Sequence, residues 1–263
     1  MNLKMTLCAL INKPSPLLAN CELVFLEHQE INFDLALKQH EGYCKAFQKC
    51  GVEVEVLNAN PNSPDSVFVE DCAVVLDEIA VIASMGTSSR SLETSSIEYV
   101  LSRHRKIAKI MTPAKLEGGD VLRIDRKLFA GLSSRTNLAG IQALSQIVTP
   151  VEYEVIPVQV NGCLHLKTGV TALDNDTVLI NRGWIAITPF ENFHVIDVSE
   201  REPFAANALP IEDNILMNAA SLRTIDKVQS LGYDVTPVAI SEFAKAEAGL
   251  TCMSLIFKNS QPD

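Results

Sequence analysis

The sequence predicts an α/β propeller of five ββαβ-type modules arranged with pseudo-fivefold symmetry around a central channel. Three observations lead there. An order of hairpin, helix and strand recurs along the chain. Gly86-Thr-Ser-Ser-Arg90-Ser91 is echoed by Gly131-Leu-Ser-Ser-Arg135-Thr136 at the same place in consecutive units. No G-x-G-x-x-G or G-x-x-x-x-G-K motif follows a strand-like run, which weakens the competing doubly wound nucleotide-binding sheet.

The apolar run at residues 5–11 reads as a buried first strand. Residues 34–50 carry Ala36, Tyr43, Phe47 and Cys50 on one helical face, with Asp34 placed to cap and Gly51 to terminate, and a strand follows over 52–57. Two β-rich runs over 67–85 flank Asp77 and Glu78, then 91–103 reads as a helix and 106–111 as a strand. The next module has strands at 121–124 and 128–132, a helix at 136–147 and a strand at 151–158. A third runs through strands at 164–173 and 177–180, a short helical or looped piece and a strand at 194–198. The fourth runs from Ile215 through a helix at 220–231, stopped by Gly232, into a strand at 233–240. The helix and strand at 34–57 lack a hairpin, which the strand at 251–257 and the first strand supply by joining the chain ends. The whole chain, 1–263, is expected to be one catalytic domain.

With 22 basic against 32 acidic residues the formal charge is −10, so the protein repels phosphate backbones and anionic lipid, and nucleic acid is not an expected partner. The apolar start is far shorter than the roughly 20 residues of a membrane span, and Asn12, Lys13 and Pro14 end it before any signal-peptide cleavage pattern. A cytoplasmic protein with no membrane partner is expected. Its cysteines at 8, 21, 44, 50, 72, 163 and 252 are odd in number and contain no C-x-x-C pair, which argues against a disulfide framework and a structural zinc site.

Four features carry possible chemistry, each with a plainer reading. Glu70 and Asp71 interrupt an apolar run, where unpartnered burial would be expensive and a solvated turn is the alternative. Glu117-Gly-Gly-Asp120 is either a simple turn or a place where backbone approaches a ligand closely. His165, opposite Leu164 and Leu166 on a predicted strand, and Cys252, also on a predicted strand, are each explicable as structural residues when judged alone. Arg90 and Arg135 each sit where a helix begins, a position unfavourable to a cation, although Ser91 and Thr136 there are explicable as helix caps. An anion between the arginines would repair the mismatch. Carboxylates suit a cationic group and paired arginines a planar carboxylate, so the set as a whole suits an arginine-like molecule.

Phe68-Val-Glu-Asp71, Glu117-Gly-Gly-Asp120, Ser134-Arg-Thr-Asn137, His165-Leu-Lys-Thr168 and Leu250-Thr-Cys-Met-Ser254 resemble, in order and over nearly the whole chain, the motifs of dimethylarginine dimethylaminohydrolases. The resemblance implies the pentein propeller of the guanidine-modifying superfamily, in agreement with the repeat count. It implies Cys252 as nucleophile, His165 as general acid and base, and Glu117 as the carboxylate that holds the guanidinium and supports the histidine. Asp71 and Glu70 would bind guanidinium nitrogens, Arg90 and Arg135 the substrate carboxylate, and Phe68 would line the pocket under an N-terminal loop near Leu18. The implied reaction converts methylated arginine to citrulline and dimethylamine or methylamine through a covalent thiouronium, without metal or organic cofactor. A homodimer is compatible with the family.

Lys167 departs from relatives that deiminate arginine or agmatine, which have an acid two positions after the histidine. That departure favours a methylated nitrogen. Cys72 and the N-terminal loop depart too, which leaves open another guanidine or ureido substrate. A ribosome-binding initiation factor shares the propeller without the catalytic residues, so a binding protein is the alternative of another class; retention of Cys252, His165 and Glu117 speaks against it.

Overall fold

In the computed structural model, which describes residues 4–261, the strands form five separate three-stranded sheets, each with its own helix or turn crossover. In the first, β1 (Lys4–Asn12) is central, flanked by β2 (Glu53–Leu57) after helix α1 (Phe33–Lys49) and by β15 (Ser254–Gln261). The second holds β3 (Ala73–Val75), β4 (Ile79–Ile82), α2 (Glu93–Leu101) and β5 (Lys106–Lys109). The third holds β6 (Val121–Ile124), β7 (Lys127–Leu132), α3 (Leu138–Val148) and β8 (Glu154–Gln159). A one-turn helix α4 (Leu166–Gly169) leads into β9 (Val170–Ala172), β10 (Thr177–Ile180) and β11 (His194–Asp197). The last sheet holds β12 (Leu209–Ile211), β13 (Asn214–Asn218), α5 (Leu222–Ser230) and β14 (Asp234–Val238), and the short α6 (Ser241–Ala244) leads back toward β15.

Every sheet follows one rule. A central strand pairs antiparallel with one neighbour and parallel with the strand beyond the crossover, as β4 does with β3 and β5. β1 pairs antiparallel with β15 and parallel with β2, so the two chain ends close the ring. A parallel neighbour cannot follow through a tight turn, so the crossover must be long, and a helix there covers the outer face of the sheet. Between β10 and β11 a 3-10 turn, Thr188–Phe190, does this work.

Several local expectations change. The α1 cap is Asn32, whose side chain accepts the Leu35 N–H at 3.0 Å, and Asp34 lies in the first turn; Gly51 follows with φ +76°, as a helix stop requires. Thr136 does not cap α3; Asn137 does, accepting from Gly140 N at 2.8 Å. Ser91 bonds back to Ser88 and does not cap α2. The first of the two β-rich runs expected over 67–85 contains a 3-10 turn, Val69–Cys72, in which four consecutive buried side chains replace the one-sided burial of a strand. The expected strand at 164–173 is α4 followed by β9, and Cys252 sits in a 3-10 turn, Thr251–Met253, that ends on β15. Short apolar runs have no periodicity that separates a strand from a buried turn feeding one.

The core lies between modules as five apolar clusters. The largest packs Tyr43 and Phe47 of α1 against Phe243, Leu250 and Met253. The Tyr43 hydroxyl donates to the Leu250 carbonyl at 2.6 Å and accepts from the Ser254 hydroxyl at 2.8 Å, so the outer helix braces both ends of the turn that carries Cys252.

Candidate active site

The inner ends of four modules bring acid, imidazole, thiol and guanidinium groups together. Glu117 precedes the 3-10 turn Gly118–Asp120, is wholly buried, and has its backbone N–H held by Thr136 Oγ1 at 3.1 Å. Its Oε2 lies 2.7 Å from His165 Nε2, and its Oε1 accepts the Gly86 N–H at 2.8 Å. His165 is the residue from which α4 starts. Asp120 fixes that start by accepting the Leu166 N–H at 2.9 Å, while Ser133 Oγ donates to its other oxygen at 2.6 Å.

The other side of the imidazole faces Asp71, with Nδ1 to Oδ1 at 3.7 Å. Both glycines of the Glu117-Gly-Gly-Asp120 segment are needed for this approach. A Cβ on Gly119 would stand 2.6 Å from Asp71 Oδ1 and 2.8 Å from His165 Nδ1, and one on Gly118 would meet the Glu70 carbonyl at 2.0 Å. Gly119 also donates its N–H to Asp71 at 3.2 Å. The glycines are thus close-packed against the acid and the histidine.

Burial pulls the His165 pKa down, but Asp71, Asp120 and Glu117 outweigh it and raise it to about 9, so the ring is an imidazolium at neutral pH. Cys252 is half-buried and its Sγ accepts the Gly249 N–H at 3.3 Å. Burial, with the charges of Glu70 and Asp71, pushes this thiol up to about 12. At rest the nucleophile candidate is protonated. Burial opposes ionisation of Asp71 as well, yet His165 and Arg90 hold its carboxyl below the usual range.

Glu70 and Arg90 are more heavily engaged than their expected roles require. Glu70 gives one oxygen to Lys167 Nζ at 2.6 Å and the other to Thr251 Oγ1 at 2.7 Å. It therefore braces the Cys252 turn and answers Lys167. Arg90 Nη1 lies 2.6 Å from Asp71 Oδ2, its Nε and Nη2 reach Glu93 Oε2 at 3.1 and 2.9 Å, and Nη2 also donates to the Phe68 carbonyl at 3.1 Å. Its unfavourable place before a helix is thus repaired by protein carboxylates. Arg135 has looser partners: Thr87 Oγ1 at 3.2 Å, Glu117 Oε1 at 3.7 Å and Glu22 Oε2 at 3.1 Å. Phe68 and Leu18 are both buried in the α1 cluster, with Leu18 fully enclosed, so the N-terminal segment is packed down over this end of the ring.

Three participants carry no local sequence signal. Asn207 accepts the Thr251 N–H at 3.1 Å and donates to the Lys167 carbonyl at 2.9 Å, tying the Cys252 turn to α4. Asp65 is a buried acid whose carboxylate accepts only the Glu22 N–H, at 3.3 and 3.4 Å, among the described residues, and burial raises its pKa. Glu93 completes the Arg90 pair and is itself raised to about 7 by burial. Asp65 lies in the polar, proline-containing stretch 58–66, where an acid does not stand out.

Asp71, Glu117 and His165 offer ligand atoms within 4.8 Å of one another and are the one group of described residues arranged to hold a metal ion. The raised histidine pKa means that a proton competes for the same nitrogen. A cavity of about 380 Å³ is lined by Glu70, Lys167, Gly118, Thr171, Asp174 and Thr251, and neither His165 nor Cys252 is among its lining residues.

The sequence model of a family described as N,N dimethylarginine dimethylhydrolase, eukaryotic, matches residues 23–230. An N(G),N(G)-dimethylarginine dimethylaminohydrolase of Pseudomonas aeruginosa is 34% identical over 224 residues, 84% of this chain and 88% of the relative. One of Streptomyces coelicolor is 34% identical over 249 residues, 94% of this chain and 95% of the relative. Among solved structures, the Pseudomonas aeruginosa enzyme, as a cysteine-to-serine mutant complexed with citrulline, superposes with a TM-score of 0.91 at 31% identity, covering 95% of this chain and 98% of the other. The N-terminal domain of a cyanobacterial arginine dihydrolase gives a TM-score of 0.83 at 20% identity over 95% of this chain and 97% of its own, a likeness of fold.

Proposed function

Because the chain belongs to the dimethylarginine dimethylaminohydrolase family, we propose that it hydrolyses N-omega-methylated arginine to citrulline and dimethylamine or methylamine, using Cys252, His165 and Glu117. The observation that carries the reading is the buried imidazolium of His165 held between Glu117 and Asp71, in the same acidic field that acts on the Cys252 thiol. The excess of carboxylates calls for a cationic group.

A guanidinium entering beside Asp71 and Glu117 supplies that charge. Its arrival lowers the thiol pKa, and the thiol proton leaves to solvent. The thiolate attacks the guanidinium carbon and forms a C–S bond. His165 gives its proton to the methylated nitrogen, the C–N bond breaks and the amine departs. A thiouronium remains on Cys252. Neutral His165 then takes a proton from water, the hydroxide adds to the same carbon, and the C–S bond breaks to return the thiolate while the added hydroxyl loses its proton to solvent and becomes the carbonyl of citrulline.

At the other end of the substrate, Arg135 takes the carboxylate and Asp65, which makes no direct ion pair among the described residues, takes the α-ammonium. Arg90 acts mainly by fixing Asp71, and Glu70 by fixing Lys167 and Thr251. Phe68 and Leu18 form the apolar wall under the N-terminal segment. Chain 1–263 acts as one catalytic domain and needs no organic cofactor. A cytoplasmic location is supported by seven cysteines that are all free, which fits a reducing compartment. A homodimer completes the reading, and sedimentation of the purified protein tests it.

The test is release of citrulline and amine from asymmetric dimethylarginine, monomethylarginine, arginine and agmatine by wild type beside Cys252→Ser. Dimethylamine from the dimethylated substrate, absent in the variant, is the expected result. Preferred turnover of arginine or agmatine would transfer the chemistry to another guanidine. Absence of turnover and of a covalent adduct with all four would overturn it.

A further inference from the structure

Glu22, just beyond the 3-10 turn Leu18–Asn20, touches both groups to which the proposed function assigns the amino-acid end of the substrate. Its backbone N–H points at the Asp65 carboxylate, 3.3 and 3.4 Å from the two oxygens. Its side-chain Oε2 lies 3.1 Å from Arg135 Nη2, and its Oε1 accepts the hydroxyl of Ser89. One residue thus sets a donor on a buried acid and a carboxylate on a buried guanidinium. A free α-amino acid offers the same two functions from a single carbon.

We propose that Glu22 is a built-in surrogate for the substrate's amino-acid end: it occupies Arg135 and Asp65 in the empty enzyme and is displaced by a substrate that carries both an ammonium and a carboxylate. The proposal rests on the assignment of Arg135 to the substrate carboxylate. Three features suit Glu22 to exchange. Its side chain is about one-third exposed (32%) whereas that of Arg135 is 5% exposed, so the carboxylate has water to move into and the guanidinium does not. Burial works against ionisation of the Glu22 carboxyl, but the Ser89 hydrogen bond and the Arg135 charge outweigh it and hold the group below the usual carboxylate range, which favours an anion on Arg135.

The third feature is a separate anchor. Glu247, in the left-handed region at φ +58°, accepts the N–H groups of Val24, Phe25 and Leu26 on one oxygen, at 3.0 Å for Val24. His28 Nε2 lies 3.0 Å from the Ala19 carbonyl. The segment stays fastened at 24–26 while Glu22 swings, so displacement needs no wholesale opening.

The consequence is a selectivity that works by exchange. A carboxylate-bearing substrate competes with Glu22 for Arg135, whereas a decarboxylated guanidine leaves Glu22 in place and keeps Arg135 paired. Neutralising Glu22 removes the competitor from the first and the neutralising partner from the second. The experiment compares asymmetric dimethylarginine with dimethylagmatine, measured as substrate or as competitive inhibitor, in wild type, Glu22→Gln, Glu22→Ala and Arg135→Ala, with thermal melting as the check on folding. Both Glu22 variants should lower KM for dimethylarginine by about fivefold, the size of a partly exposed ion pair, and should tighten citrulline binding similarly while weakening dimethylagmatine. Weakening of both ligands alike in Glu22→Gln, or an unmoved ratio, would overturn the surrogate role and leave Glu22 an ordinary fastener. If Arg135→Ala loses the preference for the carboxylate while Glu22→Gln does not sharpen it, the surrogate alone fails. A preference untouched by Arg135→Ala removes the underlying assignment and the proposal with it.

Discussion

His165 Nε2 lies 2.7 Å from Glu117 Oε2, and the other Glu117 oxygen is held 2.8 Å from the Gly86 N–H, so the carboxylate is fixed at both ends before any substrate arrives. Glu117→Gln keeps the shape and removes the charge. Loss of general acid and base tuning should lower kcat by about a hundredfold or more. The alkaline limb of the pH profile should move down, because one of the charges that raise the His165 pKa is gone. A kcat that falls with an unmoved limb would assign Glu117 to substrate binding alone.

The imidazolium sets the pH dependence. With His165 raised from 6.5 to about 9, kcat/KM should fall as pH rises through about 9, where the acid that protonates the leaving amine is lost. Stability follows the same sign. A group whose folded pKa is raised contributes fully below its unfolded value, here 6.5, and loses that contribution as pH rises through about 9. Thermal melting of wild type should therefore decline over this window more steeply than that of His165→Asn. Parallel curves would mean the ring is not charged in the folded protein.

Gly119→Ala tests the close approach of backbone to the site. The new methyl group would stand 2.6 Å from Asp71 Oδ1 and 2.8 Å from His165 Nδ1, and both side chains are held from their far atoms, Asp71 by Arg90 at Oδ2 and His165 by Glu117 at Nε2. Displacing either by about 1 Å should cost about a hundredfold in kcat. Circular dichroism should remain that of the folded protein, and near-normal activity would show that the turn relaxes.

Lys167 and Glu70 pair at 2.6 Å with little exposure on either side. Lys167→Ala leaves the Glu70 carboxylate beside the Cys252 turn without its cation and should destabilise the protein by about 3 kcal/mol in urea unfolding. The double variant Lys167→Met with Glu70→Gln should recover most of that loss. Equal loss in both would locate the cost in the packing of the lysine stem.

Removing the Asn207 side chain should act on chemistry through the turn it holds. Asn207→Ala strips the acceptor from Thr251 N–H and the donor to the Lys167 carbonyl, for a loss of about 1–3 kcal/mol of stability. Alkylation of Cys252 by iodoacetamide should become faster as the turn loosens, and an unchanged rate would exclude a role in holding it.

The repeated order of elements was legible because sheets and long helices impose their periods locally. The strands expected at 121–124 and 177–180 match β6 and β10, and the apolar face of 34–50 matches α1 within a residue at each end. The candidates for chemistry were legible too, as acids, a histidine and a thiol in apolar surroundings must find partners or a use. Which partner each finds was decided by the tertiary structure. Arg90 goes to Asp71 and Glu93, Glu70 to Lys167 and Thr251, and Glu22 to Arg135. Glu22 and Arg135, or Glu70 and Thr251, lie far apart along the chain and meet only because the ring closes through β1 and β15. Periodicity also could not foresee that His165 begins α4 or that Cys252 rides a 3-10 turn. Those turns are held by Asp120 and Asn207, whose side chains arrive from other modules, and by Tyr43, which lies some two hundred residues away along the chain, and a local pattern contains no information about bonds supplied from outside it.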